Sequence, residues 1–382
     1  MGRYLIVTWD GAGNLVPTLG IVRTLVERGH DVRMLGHDTI AERCGDLGAR
    51  FVPLSQGIGW DAMEDPDDFE AEVKLLIEEL CFSATIAQDV ARELNREPAD
   101  AVLVDSMLFT AVDVALASGT PTATLVHMAY SIFRGGPLVE MFAPGLEIAN
   151  TLRAELGLPT VERLSDGHDA CALAIVAVPK EFEPDVPDAA NVLRTGPVLD
   201  APPLSREIDE VDVRDGSTPL VLVSLSTSEQ GQADLLQRCV DAVAQLPVRA
   251  IVTTGSIDPA SVRAGTNTQV VRYVPHAEIL PSASLVITHA GLGTTMAALG
   301  RGVPLLCMPM GRDQYFNAEQ VQTLGAGRML MPDSSSDEIA LAATDILEND
   351  RFKAGAKQMA VAIGGYGGAA EAATALEGLT VG

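Results

Sequence analysis

Short apolar runs alternate with longer amphipathic stretches along the chain. Tyr4-Leu-Ile-Val-Thr8 reads as a buried strand, and the helical spacing that follows covers Val16–Arg28. Gly29-His30 closes that helix. Asp31–Leu35 is the next strand, a helix over Thr39–Leu47 follows, and Arg50–Pro53 is extended again. Ala101–Val104, a helix over Leu108–Ser118, Thr122–Val126 and Leu173–Val178 continue the series. A second series opens at Leu220–Leu225. It runs through a helix over Gln232–Leu246, strands at Ala250–Thr253, Val270–Val274 and Leu285–Thr288, a helix over Thr294–Arg301, and a strand at Pro304–Met308. Strand and helix in alternation predict parallel sheets covered by helices on both faces, an α/β, doubly wound architecture.

Two stretches break the first series. Asp61, Glu64, Asp65, Asp67, Asp68, Glu70 and Glu72 form an acidic run that reads as a solvated loop and helix start, followed by a long helix over Phe69–Asn95. Phe133 to Gly167 carries apolar residues at mixed spacing. Insertions of this kind over strand ends commonly wall a ligand site. From Glu181 to Pro219 the chain is rich in proline and acids and has little periodicity, as an interdomain linker would. The expected organisation is a first domain over 1–197, a linker over 198–216, a second domain over 217–363, and a Gly-broken helical tail over 364–382 packing back on the first. A ligand is expected in the cleft that the two domains face.

The formal net charge is −26, from 26 Lys+Arg against 52 Asp+Glu. That balance argues against nucleic acid or an anionic membrane as a partner, since both need a cationic face. It leaves room for a small anion, which a few backbone N–H groups hold. The five cysteines, Cys44, Cys81, Cys171, Cys239 and Cys307, are scattered, so no disulfide framework or Cys-x-x-Cys metal site is expected. No basic segment precedes an apolar run at the start, and no run of about 18 uncharged apolar residues occurs. These features point to a cytoplasmic protein without stable membrane insertion; a monomer or homodimer is expected, with nothing in the sequence choosing between them.

The chemistry concentrates in Thr288-His-Ala-Gly-Leu-Gly-Thr-Thr-Met-Ala-Ala-Leu-Gly-Arg-Gly-Val-Pro304 and Pro309-Met-Gly-Arg-Asp-Gln-Tyr-Phe-Asn-Ala318. A strand ends at Thr288 and a Gly-x-Gly turn opens a helix, whose free N–H groups can cradle a phosphate. A tight turn without a ligand is the alternative for Gly-x-Gly alone. The whole string resembles the donor motif of the family 1 nucleotide-sugar-dependent glycosyltransferases, the group of UDP-glucuronosyltransferases and antibiotic glycosyltransferases. Its four pieces (His-x-Gly-x-Gly-Thr, Gly-Val-Pro, Asp-Gln, Asn-Ala) stand here in order. The resemblance implies the GT-B fold of two Rossmann-like domains. It places the donor diphosphate on His289, Gly291, Gly293, Thr294 and Thr295, and the sugar hydroxyls on Asp313 and Gln314. In Tyr-Val-Pro-His276, Tyr273 takes the place of a tryptophan that stacks on uracil in plant members, with Val274 beside it. Ser226 and Thr227 match a second phosphate loop.

The turn Asp10-Gly-Ala-Gly-Asn-Leu-Val-Pro17 is Gly-His-x-x-Pro in that family, and its His is the general base. Here the position holds Asn14, whose amide cannot accept the proton at neutral pH. Asp113, eight residues after Asp105, falls where plant members carry the Asp that orients the catalytic His. Asp113 is the leading candidate for a substitute base, and Asp10 another. His127 and His37, near strand ends, are expected to pack rather than catalyse. Trp60, Phe82, Phe133 and Met141 are expected to line an apolar acceptor pocket or to be core.

The expected function is metal-independent, inverting transfer from a UDP- or dTDP-sugar to an apolar natural product such as a polyketide, without a cofactor. A catalytically idle relative that binds nucleotide sugar or assists a partner enzyme is the alternative.

Overall fold

The computed structural model describes residues 1–11, 13–55, 73–199, 209–213, 217–226 and 230–380, the side chains of 137 and 138 aside. These fall into two compact units. The first holds the residues up to 199 and those from Tyr366 onward, and the second those from 209 to Gly365.

The first unit opens with β1 (Arg3–Val7), α1 (Leu15–Glu27), β2 (Asp31–Gly36), α2 (Ala41–Asp46) and β3 (Arg50–Pro53). It continues with α3 (Ala84–Arg96), β4 (Ala101–Asp105), α4 (Phe109–Ala117) and β5 (Thr122–Val126). The short helices α5 (Tyr130–Arg134), α6 (Pro137–Phe142), α7 (Gly145–Glu155) and α8 (Ser165–Asp169) lead to β6 (Leu173–Val176) and β7 (Val192–Arg194). The seven strands lie in the order β3-β2-β1-β4-β5-β6-β7 and pair in parallel. Every residue of β4 and β5 is buried, as a parallel sheet covered on both faces requires. Leu5, Val7, Val102 and Val104 form one core with Val90 of α3 and Val112 of α4. Each such side chain contributes about 1.5–3 kcal/mol by leaving water.

Two elements differ from expectation. The single long helix to Asn95 is interrupted: a π-helical turn over Leu76–Cys81 stops at Phe82. Ser83 then caps α3, its Oγ accepting the Ile86 N–H at 3.3 Å. A serine that bonds the backbone in this way favours a helix start over a helix interior. Strand β7 lies in the stretch expected to be irregular. It is too short to show a period, and it is recruited by pairing with β6 and by Arg194, which Glu183 and Asp188 grip at 2.8 and 2.7 Å.

The second unit contains β8 (Leu220–Ser224), α9 (Ala233–Val243), β9 (Arg249–Thr253), β10 (Thr268–Val271), α10 (His276–Ile279), β11 (Ala283–Thr288) and α11 (Leu292–Gly300). It continues through β12 (Leu305–Cys307), α12 (Gln314–Thr323), β13 (Gly327–Met329), α13 (Ser336–Glu348) and α14 (Asp350–Ile363). Its six parallel strands run β10-β9-β8-β11-β12-β13. Helix α15 (Gly368–Leu379) belongs to the first unit, where Arg28 Nη1 donates to Glu377 at 2.8 Å and His30 bonds the same carboxylate. Gly196 has φ +68°, and a Cβ there would stand 2.5 Å from Tyr366 Cβ, so glycine admits the returning chain.

Strand order reverses direction between β1 and β4 in the first sheet and between β8 and β11 in the second. Open parallel sheets bind ligands at the carboxyl ends of strands flanking such a switch. All five cysteines are buried and free. Among the described residues no helix is long and apolar enough to cross a membrane.

Candidate active site

At the switch point of the second unit, β11 ends at Thr288 and His289 begins the turn into α11. Ala290 takes a left-handed backbone, φ +66°, a strained conformation for a residue with a Cβ. Asn317 holds it there: its Nδ2 donates to the Ala290 carbonyl at 3.0 Å and to Asp313 Oδ2 at 3.0 Å. Gly291 then caps α11 without any side-chain cap, so the first-turn N–H groups of Leu292, Gly293 and Thr294 have no partner within the helix. A Cβ at Gly291 would lie 2.5 Å from His289 Nε2. Glycine is what lets the imidazole lie across the helix start.

Burial, with the charges of Arg312 and His276 adding to it, pulls the His289 imidazole down to about 3. The ring is therefore neutral at physiological pH and offers one N–H donor beside the helix N-terminus. His276 is likewise brought down to about 4 by burial. It closes a chain in which Thr253 Oγ1 donates to Ser224 Oγ at 2.9 Å and Ser224 Oγ lies 3.0 Å from His276 Nε2. Neutral donors and a positive helix end with exposed Arg312 beside them favour an anion.

Gln314 joins the loops around this turn. Its Oε1 accepts the N–H groups of Met310 and Gly311 at 2.8 and 3.2 Å, and its Nε2 donates to Gln230 Oε1 at 2.9 Å. Gln230 Nε2 donates in turn to Ser226 Oγ at 2.8 Å. The buried Gln232 donates to the Ser226 carbonyl at 3.1 Å. Asp209 Oδ2 accepts the N–H groups of Arg272 and Tyr273 at 2.8 and 2.9 Å and fixes the backbone before α10.

At the switch point of the first unit, Asn14 stands before α1. It accepts the Gly11 N–H at 2.9 Å and donates to the Trp9 carbonyl at 2.9 Å and to Asp105 Oδ2 at 2.8 Å. Asp105, at the tip of β4, also accepts the Met107 N–H at 2.9 Å, and its Oδ1 lies 3.1 Å from His127 Nε2 just past β5. Burial opposes ionisation of Asp105, yet His127, Asn14 and the Met107 N–H outweigh it and hold the carboxyl below the usual range. Among the described residues no group of three or more His, Cys, Asp or Glu is arranged to hold a metal ion.

The family model for the C-terminal domain of erythromycin biosynthesis protein CIII-like proteins matches residues 237–379. Demethyllactenocin mycarosyltransferase of Streptomyces fradiae is 28% identical over 417 residues, covering 99% of this chain and 87% of its own. The dTDP-epi-vancosaminyltransferase of Amycolatopsis orientalis is 27% identical over 346 residues, 85% of this chain and 84% of its own. Among solved structures, the glycotransferase of kitacinnamycin superposes with a TM-score of 0.83 at 22% identity, over 99% of each chain. Over most of its length the chain is thus similar to bacterial natural-product glycosyltransferases.

In the second unit the turn residues His289, Gly291, Gly293, Thr294 and Thr295 are contiguous with Asp313 and Ser226 through the side chains of Asn317, Gln314 and Gln230. Thr295 is buried beneath the turn and Val274 is a core side chain, so only its backbone can face a ligand. Thr227 and Trp60 lie outside the described residues. Asp113 is buried on α4 against Arg153 of α7, which donates to its Oδ1. Burial pushes that carboxyl up to about 6 against the pull of Arg153. The pair lines a cavity of about 10 Å³, with room for about one water. Asp113 is thus a structural ion-pair partner rather than an open base. Asp10 lies 3.6 Å from Arg43.

Phe82 and Phe133 are core residues rather than an open wall. Phe82 stacks on Phe109 with centroids 4.9 Å apart, and Phe133 meets His168 edge-on at 5.4 Å. Met141 is partly buried. Sequence reasoning gave no role to two residues that the geometry brings forward, Gln230 and Asn317. Asn317 stood in the Asn-Ala piece without a role. Nothing in the local pattern marks Gln230.

Proposed function

We propose that the chain transfers a sugar from a UDP- or dTDP-sugar to an apolar natural product such as a polyketide, with inversion at the anomeric carbon. The observation that carries the reading is the uncapped start of α11 with neutral His289 across it. In this reading the leaving diphosphate is met by preorganised N–H groups and the His289 donor, with no metal required. Asp313 and the Gln314 loop bind the sugar hydroxyls, and Ser226 contacts phosphate. Tyr273 faces the base. The name of the Amycolatopsis relative favours a dTDP-sugar donor.

The test is incubation with UDP-glucose and several dTDP-sugars against phenolic and alcoholic polyketides, in buffer with and without EDTA, with products read by mass spectrometry. A glycoside of opposite anomeric configuration to the donor, formed equally in EDTA, supports the reading. Asn14 occupies the usual base position and is consumed by hydrogen bonds, which favours the idle-relative alternative. Donor-dependent thermal stabilisation without glycoside or free sugar would select it.

A further inference from the structure

We propose that Asn317 is a positioning residue for the nucleotide-sugar: one buried amide sets the Ala290 turn and the Asp313 carboxylate relative to each other. The inference rests on the reading above, in which the turn takes the diphosphate and Asp313 the sugar, and it names the group that couples the two.

Asn317 lies near the start of α12 with its side chain wholly buried. Its Nδ2 gives one hydrogen to the Ala290 carbonyl and the other to Asp313 Oδ2, each at 3.0 Å. A carbonyl and a carboxylate only accept, so the amino end of the amide must face them. Its Oδ1 has no partner among the described residues, which confines the bonding of this amide to the two donations.

Each end of the link carries a second mark of constraint. Among the described residues, the non-glycine residues with a left-handed backbone are Ala290, φ +66°, and Arg312, φ +53°. One lies at the turn that Asn317 grips and the other directly before the carboxylate that it grips. Strain of this kind persists only where the surroundings over-determine it, and it gathers at ligand clamps. Asp313 is moreover the N-cap of α12, yet its side chain makes no capping bond to that helix. An aspartate in this place ordinarily caps; here Asn317 holds it instead. At the other end, the Ala290 carbonyl and the Gly291 N–H share one peptide plane, so holding the oxygen also sets the direction of the N–H.

The two arms separate by experiment. Calorimetric titration of the full chain with UDP and UDP-glucose, and with dTDP and dTDP-glucose, gives the affinity for each nucleotide and the ratio that the sugar adds. N317L keeps the branched shape of the amide without its donors. Nucleotide affinity falls about tenfold, the scale of the left-handed cost of one alanine. The ratio shifts against the sugar by at least about threefold, the scale of one hydrogen bond. In A290G/N317L the turn becomes left-handed without steric cost, so nucleotide affinity returns to within about twofold of wild type. The sugar ratio stays shifted, because glycine at 290 does nothing for Asp313. A merely structural asparagine gives the opposite pattern: lower melting temperature, equal loss on nucleotide and nucleotide-sugar, and no rescue by glycine. That pattern overturns the proposal, as do N317L affinities within about twofold of wild type.

If N317L fails to fold, D313A decides from the other arm. With Asn317 still gripping Ala290, nucleotide affinity holds and only the sugar ratio shifts; equal loss on both ligands overturns the division of labour. A wild type that binds none of the four ligands removes this proposal together with the reading it rests on. Wild-type binding that is indifferent to N317L removes the role of Asn317 alone.

Discussion

Asn14 donates its side-chain amide to Asp105 Oδ2 across 2.8 Å, tying the turn after β1 to the tip of β4. The same amide group bonds the Trp9 carbonyl, and its oxygen holds the Gly11 N–H. Position 14 is thus a rigid polar joint between the two strand ends.

Removing that joint has a cost that can be measured. Asn14→Ala leaves a buried carboxylate oxygen and a backbone carbonyl without their donor, and stability falls by about 1–3 kcal/mol. Asn14→Asp is worse at neutral pH, because two carboxylates then share one buried site and one must stay protonated. A raised folded pKa makes the loss largest above that pKa and relieves it as pH falls. Melting curves of both variants from about pH 5 to pH 8 check this: Asn14→Asp approaches Asn14→Ala at the acid end.

Gly291→Ala keeps an ordinary backbone, since the N-cap φ is −58°. Its new Cβ displaces the His289 ring, which lies 2.5 Å from that point. Affinity for a nucleotide-diphosphate-sugar falls about tenfold, the scale of one lost hydrogen bond to a charged group, while melting changes little. Calorimetric titration reads the affinity. Unchanged binding would show that His289 does not contact the donor.

His289 is neutral well below physiological pH, its pKa being about 3. A nucleotide-diphosphate-sugar keeps its charge in this range, so its affinity stays flat between about pH 5.5 and pH 8. Binding that strengthens steadily toward acid would mean that the ring gains a proton with the ligand. The same lowered pKa has a sign for stability. The unfolded chain takes up this proton before the folded one, so the contribution is present above the ordinary histidine value and is lost as pH falls toward 3.

Asp113→Ala strands the Arg153 guanidinium in a site where each side chain is 4% exposed. Stability drops by about 3–5 kcal/mol, and pairing the change with Arg153→Met recovers most of it. Urea denaturation distinguishes this from a catalytic role. If the single variant melts like wild type yet loses turnover, Asp113 acts in the chemistry.

Legibility differed between the two units. In the second, the Gly-x-Gly turn, the Asp-Gln pair and the strands around them could be read because the residues that build the turn are consecutive. A helix start supplies its N–H groups locally. In the first unit the alternation of strand and helix placed Asn14, Asp105 and His127 at strand ends, but spacing cannot say which of them touch. The interrupted helix at Ser83 and strand β7 were missed because capping and edge pairing leave almost no periodic trace.

Sequence alone determined two parallel α/β sheets, the Gly-x-Gly turn that opens a helix after a strand, and a net charge of −26 that argues against a nucleic-acid partner. Tertiary structure alone decided the partners: Asp105 with His127 across 22 residues, Asp113 with Arg153 across 40, and Gln230 with Gln314 across 84. Hydrophobic period reports which side of an element is buried. Polar pairing depends on strand order and register, which are set only when the sheet assembles.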